Sequence, residues 1–306
     1  MFEGESPIMR VLRRLGCERL AWSLRRLHCP VDKHDLVLEV GSGGNPYYRA
    51  NVLLDAYENT RERHWVDLVT DRPTILGFVE NLPFKDKAFD FVIASHVLEH
   101  SANPVQFLSE LQRVARAGYI EVPDAFMERL NPYLDHRLEI TVRDARLLIR
   151  KKKAWKTDAE LVELYSDRAG AIIAGKTIPE NAFHFHVRYY WSGSIDYIVI
   201  NPEVDAAWDA LQEARPQRAL SLRSRVNALV LLLLRKALSQ NHRNRRLNWI
   251  TLLRCPGCHG DALTKNGERI ICRQCLGQYP FKSGMPHMAI AARRHAEGPI
   301  TPATAR

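Results

Sequence analysis

The chain contains 306 residues, 46% of them hydrophobic and 26% charged, a composition typical of folded globular proteins. This length is sufficient for one large domain and one small domain, and no apolar run reaches the roughly 18–20 residues that a membrane-spanning helix needs. The net charge of +9 comes from a single stretch, because residues 214–254 contain ten Lys or Arg and no Asp or Glu. The rest of the chain is close to neutral.

The N-terminus and the cysteines both predict a cytoplasmic protein. Residues 1–7 are acidic and polar, and no small-residue cleavage site follows an apolar core, so no secretory signal is expected. Four of the six cysteines form two CxxC pairs, which argues against a disulfide framework and favours a reducing compartment.

The N-terminal segment, residues 1–34, is predicted to form one amphipathic helix over Ile8–His28. Apolar residues recur at helical spacing, and six arginines occupy the other positions. The favoured interpretation is a helix packed on the next domain with its arginines in solvent. Contact with RNA or with a membrane surface is the alternative.

Residues 35–202 are predicted to form an α/β domain. Four strands are expected, at Leu36–Val40, Val52–Asp55, Phe89–Ser95 and Tyr119–Val122. A helix between the last two begins after Asn103, a good N-cap followed by Pro104, and ends at Gly118. Strands that alternate with helical segments predict a parallel sheet whose ligands bind at the carboxyl ends of the strands.

The pattern changes after the fourth strand. Residues 136–149 are expected to form a two-stranded excursion that turns at Arg143, and a helix is expected over Asp158–Ala169. Phe183–Trp191 and Ile195–Ile200 flank a Ser-Gly-Ser turn, which predicts an antiparallel hairpin that closes one edge of the sheet.

Residues 203–248 form a basic connector with two predicted helices, Val204–Glu213 and Gln217–Leu238. The second contains the apolar run Ala228–Leu234, which is too short to span a bilayer. A buried inter-domain helix is the favoured interpretation, and contact with a membrane interface or with nucleic acid is the alternative.

Two CxxC pairs separated by thirteen residues predict a closed, structural zinc site. Its four thiolate ligands are Cys255, Cys258, Cys272 and Cys275. They define a small zinc-ribbon domain over residues 249–292, followed by a tail over residues 293–306. Since four thiolates fill a tetrahedral zinc ion, no metal catalysis is expected there.

Three ordered segments of the α/β domain carry a family resemblance. LEVGSGGNP, GFVENLPFKDKAFDFVIASHVLEH and RAGYIEVP together resemble class I S-adenosylmethionine-dependent methyltransferases, over about Leu36–Pro123. The resemblance implies a Rossmann-like sheet. Separately, Cys255–Met288 is similar to the zinc-ribbon family that includes the activator subunit of tRNA and protein methyltransferases, which implies a zinc-ribbon domain fused to its catalytic domain.

The methyltransferase resemblance assigns roles to residues at matching positions. Glu39 and the backbone of Gly41 and Gly43 would hold the methionine part of S-adenosylmethionine, and Asp55 would accept hydrogen bonds from both ribose hydroxyls. Further positions implied at the cofactor are Val79 and Glu80 near the adenine and Ser95 and His96 beside the methyl group.

The sequence departs from the family pattern at two places. Asn45 replaces a loop glycine and only about a dozen residues separate Gly43 from Asp55, so the first crossover helix must be shortened to about a turn. Phe78 stands where an acid commonly binds the adenine amine, which leaves adenine recognition to the neighbouring backbone and Glu80.

Methyl transfer needs a base only when the acceptor must lose a proton. His96, just past a strand end, is the first candidate, and Asp124, after another strand end, is the second. The structural alternatives are a His that bonds backbone and an Asp that starts a turn.

The sequence therefore predicts an enzyme that transfers a methyl group from S-adenosylmethionine to an O or N acceptor. A small molecule, glycan or lipid-linked acceptor is favoured, since no aromatic-basic platform for bases is visible in the catalytic half. An RNA or translation-factor substrate is the alternative, and a non-catalytic scaffold that has lost the cofactor is a third. The zinc ribbon is expected to stabilise the catalytic domain in cis, and peripheral membrane contact stays open.

Overall fold

A computed structural model describes residues 4–208 and 222–289. Its strands, in chain order, are β1 Val37–Val40, β2 Val52–Asp55, β3 Thr74–Leu76, β4 Phe89–Ser95, β5 Ala115–Pro123, β6 Leu138–Arg143, β7 Arg146–Lys151, β8 His186–Ser192, β9 Tyr197–Val199, β10 Leu263–Asn266, β11 Arg269–Cys272, β12 Gln278–Lys282 and β13 Met285–Pro286. Its α-helices are α1 Pro7–Arg14, α2 Glu18–Leu24, α3 Pro104–Val114, α4 Ala125–Leu130, α5 Ala159–Arg168, α6 Gly170–Ile172, α7 Ile178–Glu180, α8 Ala182–Phe185, α9 Leu222–Leu238 and α10 Asn241–Arg246. Single turns of 3-10 or π type occur at Arg25–Leu27, Val79–Asn81, Leu98–His100, Ile173–Thr177 and Trp249–Leu252.

The central sheet has the strand order β3-β2-β1-β4-β5-β8, in which β8 alone runs antiparallel to its neighbour. This is a Rossmann-like arrangement, with the strand order reversing between β1 and β4. The predicted strands Val52–Asp55 and Phe89–Ser95 are confirmed, and β1 begins one residue later than predicted. The three-residue strand β3 was not predicted.

The predicted start of α3 is confirmed, since the side chain of Asn103 accepts a hydrogen bond from the Gln106 amide and Pro104 is the first helical residue. The predicted end is wrong. The helix ends at Val114, and Gly118 lies inside β5 because the chain turns directly from helix into strand. Residues 41–51, between β1 and β2, contain turns but no helix, so the crossover is reduced further than the single helical turn that the short spacing predicts.

The excursion at β6 and β7 is confirmed, and so is the helix α5, which is capped by Asp158. The predicted antiparallel closure of one edge of the central sheet is confirmed by β8, but the predicted hairpin is wrong. β8 pairs with β5, whereas β9 leaves the central sheet and pairs in parallel with β7, so that β6, β7 and β9 form a separate three-stranded sheet. The Ser-Gly-Ser turn therefore redirects the chain from one sheet to another.

The single helix predicted over Ile8–His28 is also wrong. The segment divides into α1 and α2 at Gly16, whose φ of +73° ends the first helix. Its arginines do not all face solvent either. Arg25 is 11% exposed at its side chain and pairs with the fully buried Glu121 of β5 at 2.9 Å. The N-terminal helices therefore pack at the carboxyl end of the sheet.

The basic connector is partly described. Residues 204–208 are not helical, while 209–213 and 217–221 of the two predicted helices lie outside the described residues. On α9, Leu229 and Leu233 are each 56% exposed. The prediction of a buried inter-domain helix is therefore wrong for this face of the helix. Among the described residues, no helix has the length and apolarity needed to cross a bilayer.

Several basic side chains of the connector bind within the protein. Arg235 pairs with Asp71, and the Arg243 guanidinium donates to the carbonyls of residues 33–35. Asn244 is buried and accepts a hydrogen bond from Asn51, which precedes β2. The connector is therefore attached to the edge of the central domain.

The C-terminal unit, residues 249–289, packs against the β3 edge of the central sheet. The amide of Met288 donates to the Leu76 carbonyl at 2.7 Å, and His287 forms a parallel bridge with Leu76. On the other side, Leu253 bridges Phe84, and both side chains are fully buried. The apolar side chains of this unit and those of the sheet form one continuous core. An edge strand that would otherwise expose its backbone groups is thereby covered.

Candidate functional site

A cavity of about 590 Å³ opens at the carboxyl ends of β1, β2, β4 and β5. The structure brings Glu39, Gly41, Gly43, Asp55, Val79, Ser95 and His96 together in its lining. Glu80 and Asp124 are not in the lining. This is the position at which open parallel sheets bind ligands.

The glycine loop needs its glycines for two reasons. Gly41 and Gly43 have φ of +62° and +59°, a region that residues with a Cβ atom rarely adopt. A Cβ atom on Gly41 would also lie 2.1 Å from Cγ2 of Val97, on the turn that follows β4. The backbone of the loop can therefore lie directly at the cavity, where no Cβ atom separates it from a ligand.

Glu39 lies at the inner end of the cavity and is 2% exposed. Its carboxylate accepts a hydrogen bond from the Tyr47 amide at 2.7 Å. Burial raises the pKa of Glu39 to about 7, although the guanidinium groups of Arg26 and Arg72 act in the opposite direction. A cationic group placed beside it would favour the ionised form.

Asp55 ends β2 and is 6% exposed. Its Oδ2 accepts from the Gly43 amide at 3.0 Å, so the carboxylate and the glycine loop hold each other in place. Its Oδ1 accepts from the Tyr57 amide at 3.2 Å and from Nη1 of Arg63 at 3.1 Å. A ligand hydroxyl would thus share this carboxylate with Arg63, which the sequence did not predict.

The predicted adenine side is formed by residues 78–80. Val79 is buried and lines the cavity, and Phe78 packs edge-on against Tyr57, with ring centroids 5.8 Å apart. The Glu80 carboxylate accepts a hydrogen bond from Ser101 Oγ instead of facing the cavity. On this side, the cavity is therefore lined by the apolar side chain of Val79 and the ring of Tyr57.

His96 sits between two carboxylates. Its Nε2 lies 3.3 Å from Glu121 and its Nδ1 lies 3.4 Å from Glu99, and Ser95 Oγ donates to the same Glu121 at 2.9 Å. Burial alone would lower the pKa of His96, but contacts with these two carboxylates outweigh it and raise the pKa to about 9. This shift favours the protonated imidazole at neutral pH, a form that has no nitrogen free to accept a proton, and so it disfavours the predicted role as a base.

Asp124 has a structural role. Its Oδ1 caps α4 by accepting from the Phe126 amide at 2.9 Å, and its Oδ2 accepts from Thr141 Oγ1 at 2.7 Å. Both oxygens are occupied and the side chain does not line the cavity, so the structure gives no support to Asp124 as a base.

One cluster beside the cavity, of which His100 and His136 line the wall, was not predicted. Glu99, His100 and His136 each offer a ligand atom, and these atoms lie within 4.8 Å of one another. Burial lowers the pKa of His100 to about 3, so its imidazole is neutral. Glu99 and His100 belong to the ASHVLEH segment, but His136 follows β5 and α4 along the chain, and nothing in its local sequence signals this proximity.

Two other lining residues come from distant parts of the chain. Arg26, which follows α2, donates to the Asn45 carbonyl beside the glycine loop. Leu231 of α9 reaches the same cavity from the connector. Neither could be assigned from the sequence, because their positions depend on how the N-terminal helices and the connector fold back.

The predicted cysteine ligands are brought together in the C-terminal unit. Their sulfur atoms lie within 4.8 Å of one another, and two of the pairs, Cys255–Cys275 and Cys258–Cys272, are 3.7 and 3.6 Å apart. Four sulfurs around zinc at about 2.3 Å are separated by about 3.8 Å, so this donor set suits a tetrahedral zinc ion. Tyr279 Oη lies 3.0 Å from Cys255 Sγ.

Part of the chain matches a known family. Residues 38–120 match the family described as methyltransferase domain. An uncharacterised protein of Methanocaldococcus jannaschii is 30% identical over 81 residues, which are 26% of this chain and 40% of that protein. The chain thus covers less than half the length of this curated relative. Residues 38–120, which match the methyltransferase domain, contain the glycine loop, Asp55 and His96 and supply most of the residues that line the cavity.

Three solved structures are similar at lower identity. One is a complex of the Trm112 methyltransferase activator of Haloferax volcanii with a protein assigned as a methyltransferase, at 17% identity, 44% of this chain, 77% of that chain and a TM-score of 0.28. The others are S-adenosylmethionine-dependent methyltransferases of Thermotoga maritima and Aquifex aeolicus. Each is 19% identical, covers 38% of this chain and has a TM-score of 0.27, and the match spans 62% and 73% of their own chains, respectively. With TM-scores this low, they indicate neither a substrate nor a partner for this chain.

Proposed function

We propose that the chain is an S-adenosylmethionine-dependent methyltransferase that acts on a small, glycan or lipid-linked acceptor through an O or N atom. The observation that carries the proposal is that the segment matching a methyltransferase domain supplies both the glycine loop and Asp55 to one cavity. When bound, S-adenosylmethionine supplies an electrophilic methyl group on a sulfonium.

The residues at the cavity fit this cofactor. Gly41 and Gly43 leave room for backbone approach where a Cβ atom would collide, and the buried Oγ of Ser42 has no hydrogen-bond partner of its own. Glu39, beside the loop, suits the ammonium of the methionine part, since a cation favours its ionised form. Asp55 suits the ribose hydroxyls through its carboxylate.

The proposed chemistry depends mainly on positioning. Displacement at a methyl group requires the acceptor atom to lie in line at about 3 Å, and holding it there is the main contribution of the protein. His96, whose two ring nitrogens lie against Glu99 and Glu121, would place a fixed positive charge beside the acceptor instead of donating a hydrogen bond to it. Tyr133 and Met127 line the same side and would pack on the acceptor.

A small acceptor is favoured over RNA by how the basic connector is used. Arg235 and Arg243 bind Asp71 and backbone carbonyls of the same chain, so these charges are not available to a phosphate backbone. Arg254 pairs with Asp86 in the same manner.

The C-terminal unit is proposed to be a zinc ribbon that stabilises the catalytic domain in cis. Its four cysteines would bind zinc, and the zinc would keep folded the surface that covers β3 and Phe84. This role needs no separate activator chain.

Calorimetry with S-adenosylhomocysteine, the product of the cofactor, tests the proposed activity class. We expect saturable binding with one site per chain. Absence of binding at millimolar ligand would exclude the enzyme and leave the scaffold interpretation. The acceptor class is tested by titrating RNA at low ionic strength, where we expect no salt-dependent binding.

A further inference from the structure

The cavity contains a second group of potential ligands besides those for the cofactor. We propose that Glu99, His100 and His136 bind a divalent transition-metal ion in the wall of the cavity. One carboxylate oxygen and two imidazole nitrogens lie within 4.8 Å of one another. His100 and His136 line the cavity, whereas Glu99 is buried and is not part of the lining.

The unpartnered atoms of the cluster support this assignment. Both carboxylate oxygens of Glu99 and Nδ1 of His100 are buried without a hydrogen-bond partner. His96 approaches Glu99 Oε1 only to 3.4 Å, an ion-pair distance without hydrogen-bond geometry. Buried polar atoms nearly always have a hydrogen-bond partner, so buried atoms without one on two adjacent residues of the cluster support a ligand at this place.

His136 is oriented as metal-binding histidines commonly are. Its Nδ1 lies 2.6 Å from Oε2 of Glu128, which leaves Nε2 as the nitrogen free to bind an ion. Lys152 Nζ donates to the other oxygen of Glu128 at 2.6 Å, and all three side chains are buried. A carboxylate behind a histidine fixes the ring and its tautomer in many metal sites.

The backbone brings the two ligand-bearing segments together. Glu99 and His100 lie on the turn Leu98–His100, directly after β4 and His96. The amide of Arg137 donates to the Glu99 carbonyl at 2.7 Å, which ties the residue after His136 to this turn. The site is thus built from two segments that a main-chain hydrogen bond holds in register.

The donor set indicates which ions would bind. Two imidazoles and one carboxylate suit zinc, manganese, iron or cobalt in the divalent state rather than magnesium or calcium, which prefer oxygen ligands. The four cysteine ligands of the C-terminal unit occupy all four coordination positions of a tetrahedral ion. The three ligands here leave at least one coordination position for an oxygen of the acceptor. That use of the ion rests on the proposed function, but the binding of the metal does not.

Cobalt(II) titration of the full-length chain with zinc on its cysteines tests the proposal. Cobalt does not displace the more tightly bound zinc, so a second site is seen separately. We expect one equivalent of cobalt with d–d absorption and no thiolate-to-cobalt charge transfer. No binding at millimolar cobalt, or a spectrum with thiolate charge transfer alone, would overturn the proposal.

Matched variants assign the ion to the cluster. His100→Ala should abolish the cobalt signal, and Glu128→Gln, which leaves all three ligands in place, should weaken cobalt binding about 10- to 100-fold. His186→Ala, a change at another histidine of the same cavity, should bind cobalt as the wild type does. Wild-type cobalt binding in His100→Ala would overturn the assignment.

Calorimetry with S-adenosylhomocysteine on the same samples separates the two proposals. Cobalt binding without nucleoside binding would reject the methyltransferase function and keep the metal site. Nucleoside binding without cobalt binding would reject the metal site alone.

Discussion

The two halves of the cavity are built from the chain in opposite ways. The half proposed to bind the cofactor, the cofactor half, takes Glu39, the glycine loop and Asp55 from residues 39–55, where two neighbouring strands end. The half proposed to bind the acceptor, the acceptor half, combines the turn that follows β4 with His136, which lies in a different segment beside β6. A local motif can be recognised in a sequence, whereas a constellation assembled by tertiary packing cannot. The two halves should therefore respond differently to substitution.

Loss of zinc from the C-terminal unit should have the largest effect, because this unit supports the β3 edge next to the cofactor half. Cys258→Ser, or chelation of zinc from the full-length chain, should release Leu253 from Phe84 and Met288 from Leu76. Three core side chains at about 2 kcal/mol each amount to about 6 kcal/mol, which lowers the melting temperature by on the order of 10 °C.

Thermal unfolding measures this effect, and the exposed Cys17 supplies the control. Cys17→Ser should melt at the wild-type temperature. An unchanged melting temperature in Cys258→Ser would show that the C-terminal unit does not support the sheet through zinc.

Gly41→Ala, although it lies in the cofactor half, should also disturb the acceptor half. The new Cβ atom would meet Val97, which carries the turn of the acceptor half, and Gly41 has a positive φ in addition. We expect a loss of about 3 kcal/mol in the free energy of unfolding from backbone strain and overpacking together.

The matched control is Gly267→Ala, with a similar φ of +56° and no heavy atom within 4 Å of the added Cβ. It should lose only the backbone part, about 1 kcal/mol. Equal losses in the two variants, measured by chemical denaturation, would contradict the close packing of the loop on Val97.

Asp55→Asn should affect the cofactor half alone. Replacing a charged acceptor by a neutral one weakens two hydrogen bonds to ribose hydroxyls by about 1 kcal/mol each, so the Kd for S-adenosylhomocysteine should rise about thirtyfold. Calorimetry measures the change. Asp196→Asn, at an exposed carboxylate that pairs with Arg146, serves as the control and should retain wild-type affinity.

The smallest expected effect is a pH dependence of cofactor binding. The pKa of Glu39 is raised to about 7 by burial, so its carboxylate ionises as the pH rises from 6 to 8. The ammonium of the ligand favours the ionised form, and affinity should therefore increase with pH, by up to about tenfold. Glu39→Gln should flatten this profile, and an affinity that falls with rising pH in the wild type would contradict the assignment.

Local signals predicted much of the fold. The N-cap at Asn103 is predictable because its short polar side chain accepts a hydrogen bond from the amide three residues further along the chain. The pairing of β9 with β7 was not readable, since the Ser-Gly-Ser turn looks like a hairpin whichever sheet the next strand joins. The buried Arg25 was interpreted as a solvated face because its partner, Glu121, is distant in the sequence.

In the candidate site, too, the positions of residues in local motifs are predictable, whereas properties that depend on distant residues are not. The predicted cofactor residues line the cavity, except for Glu80, whose carboxylate is held by Ser101. His96 was placed at the cavity correctly, but its protonation depends on Glu99 and Glu121, which only the folded structure brings to it. Sequence spacing locates such groups without revealing their charge.

The most direct test of the two-half account measures S-adenosylhomocysteine and cobalt(II) binding on Asp55→Asn and His100→Ala. The account predicts that Asp55→Asn loses most of its affinity for the nucleoside and binds cobalt normally, and that His100→Ala does the reverse. Joint loss of both ligands in either variant, or wild-type nucleoside affinity in Asp55→Asn, would contradict it.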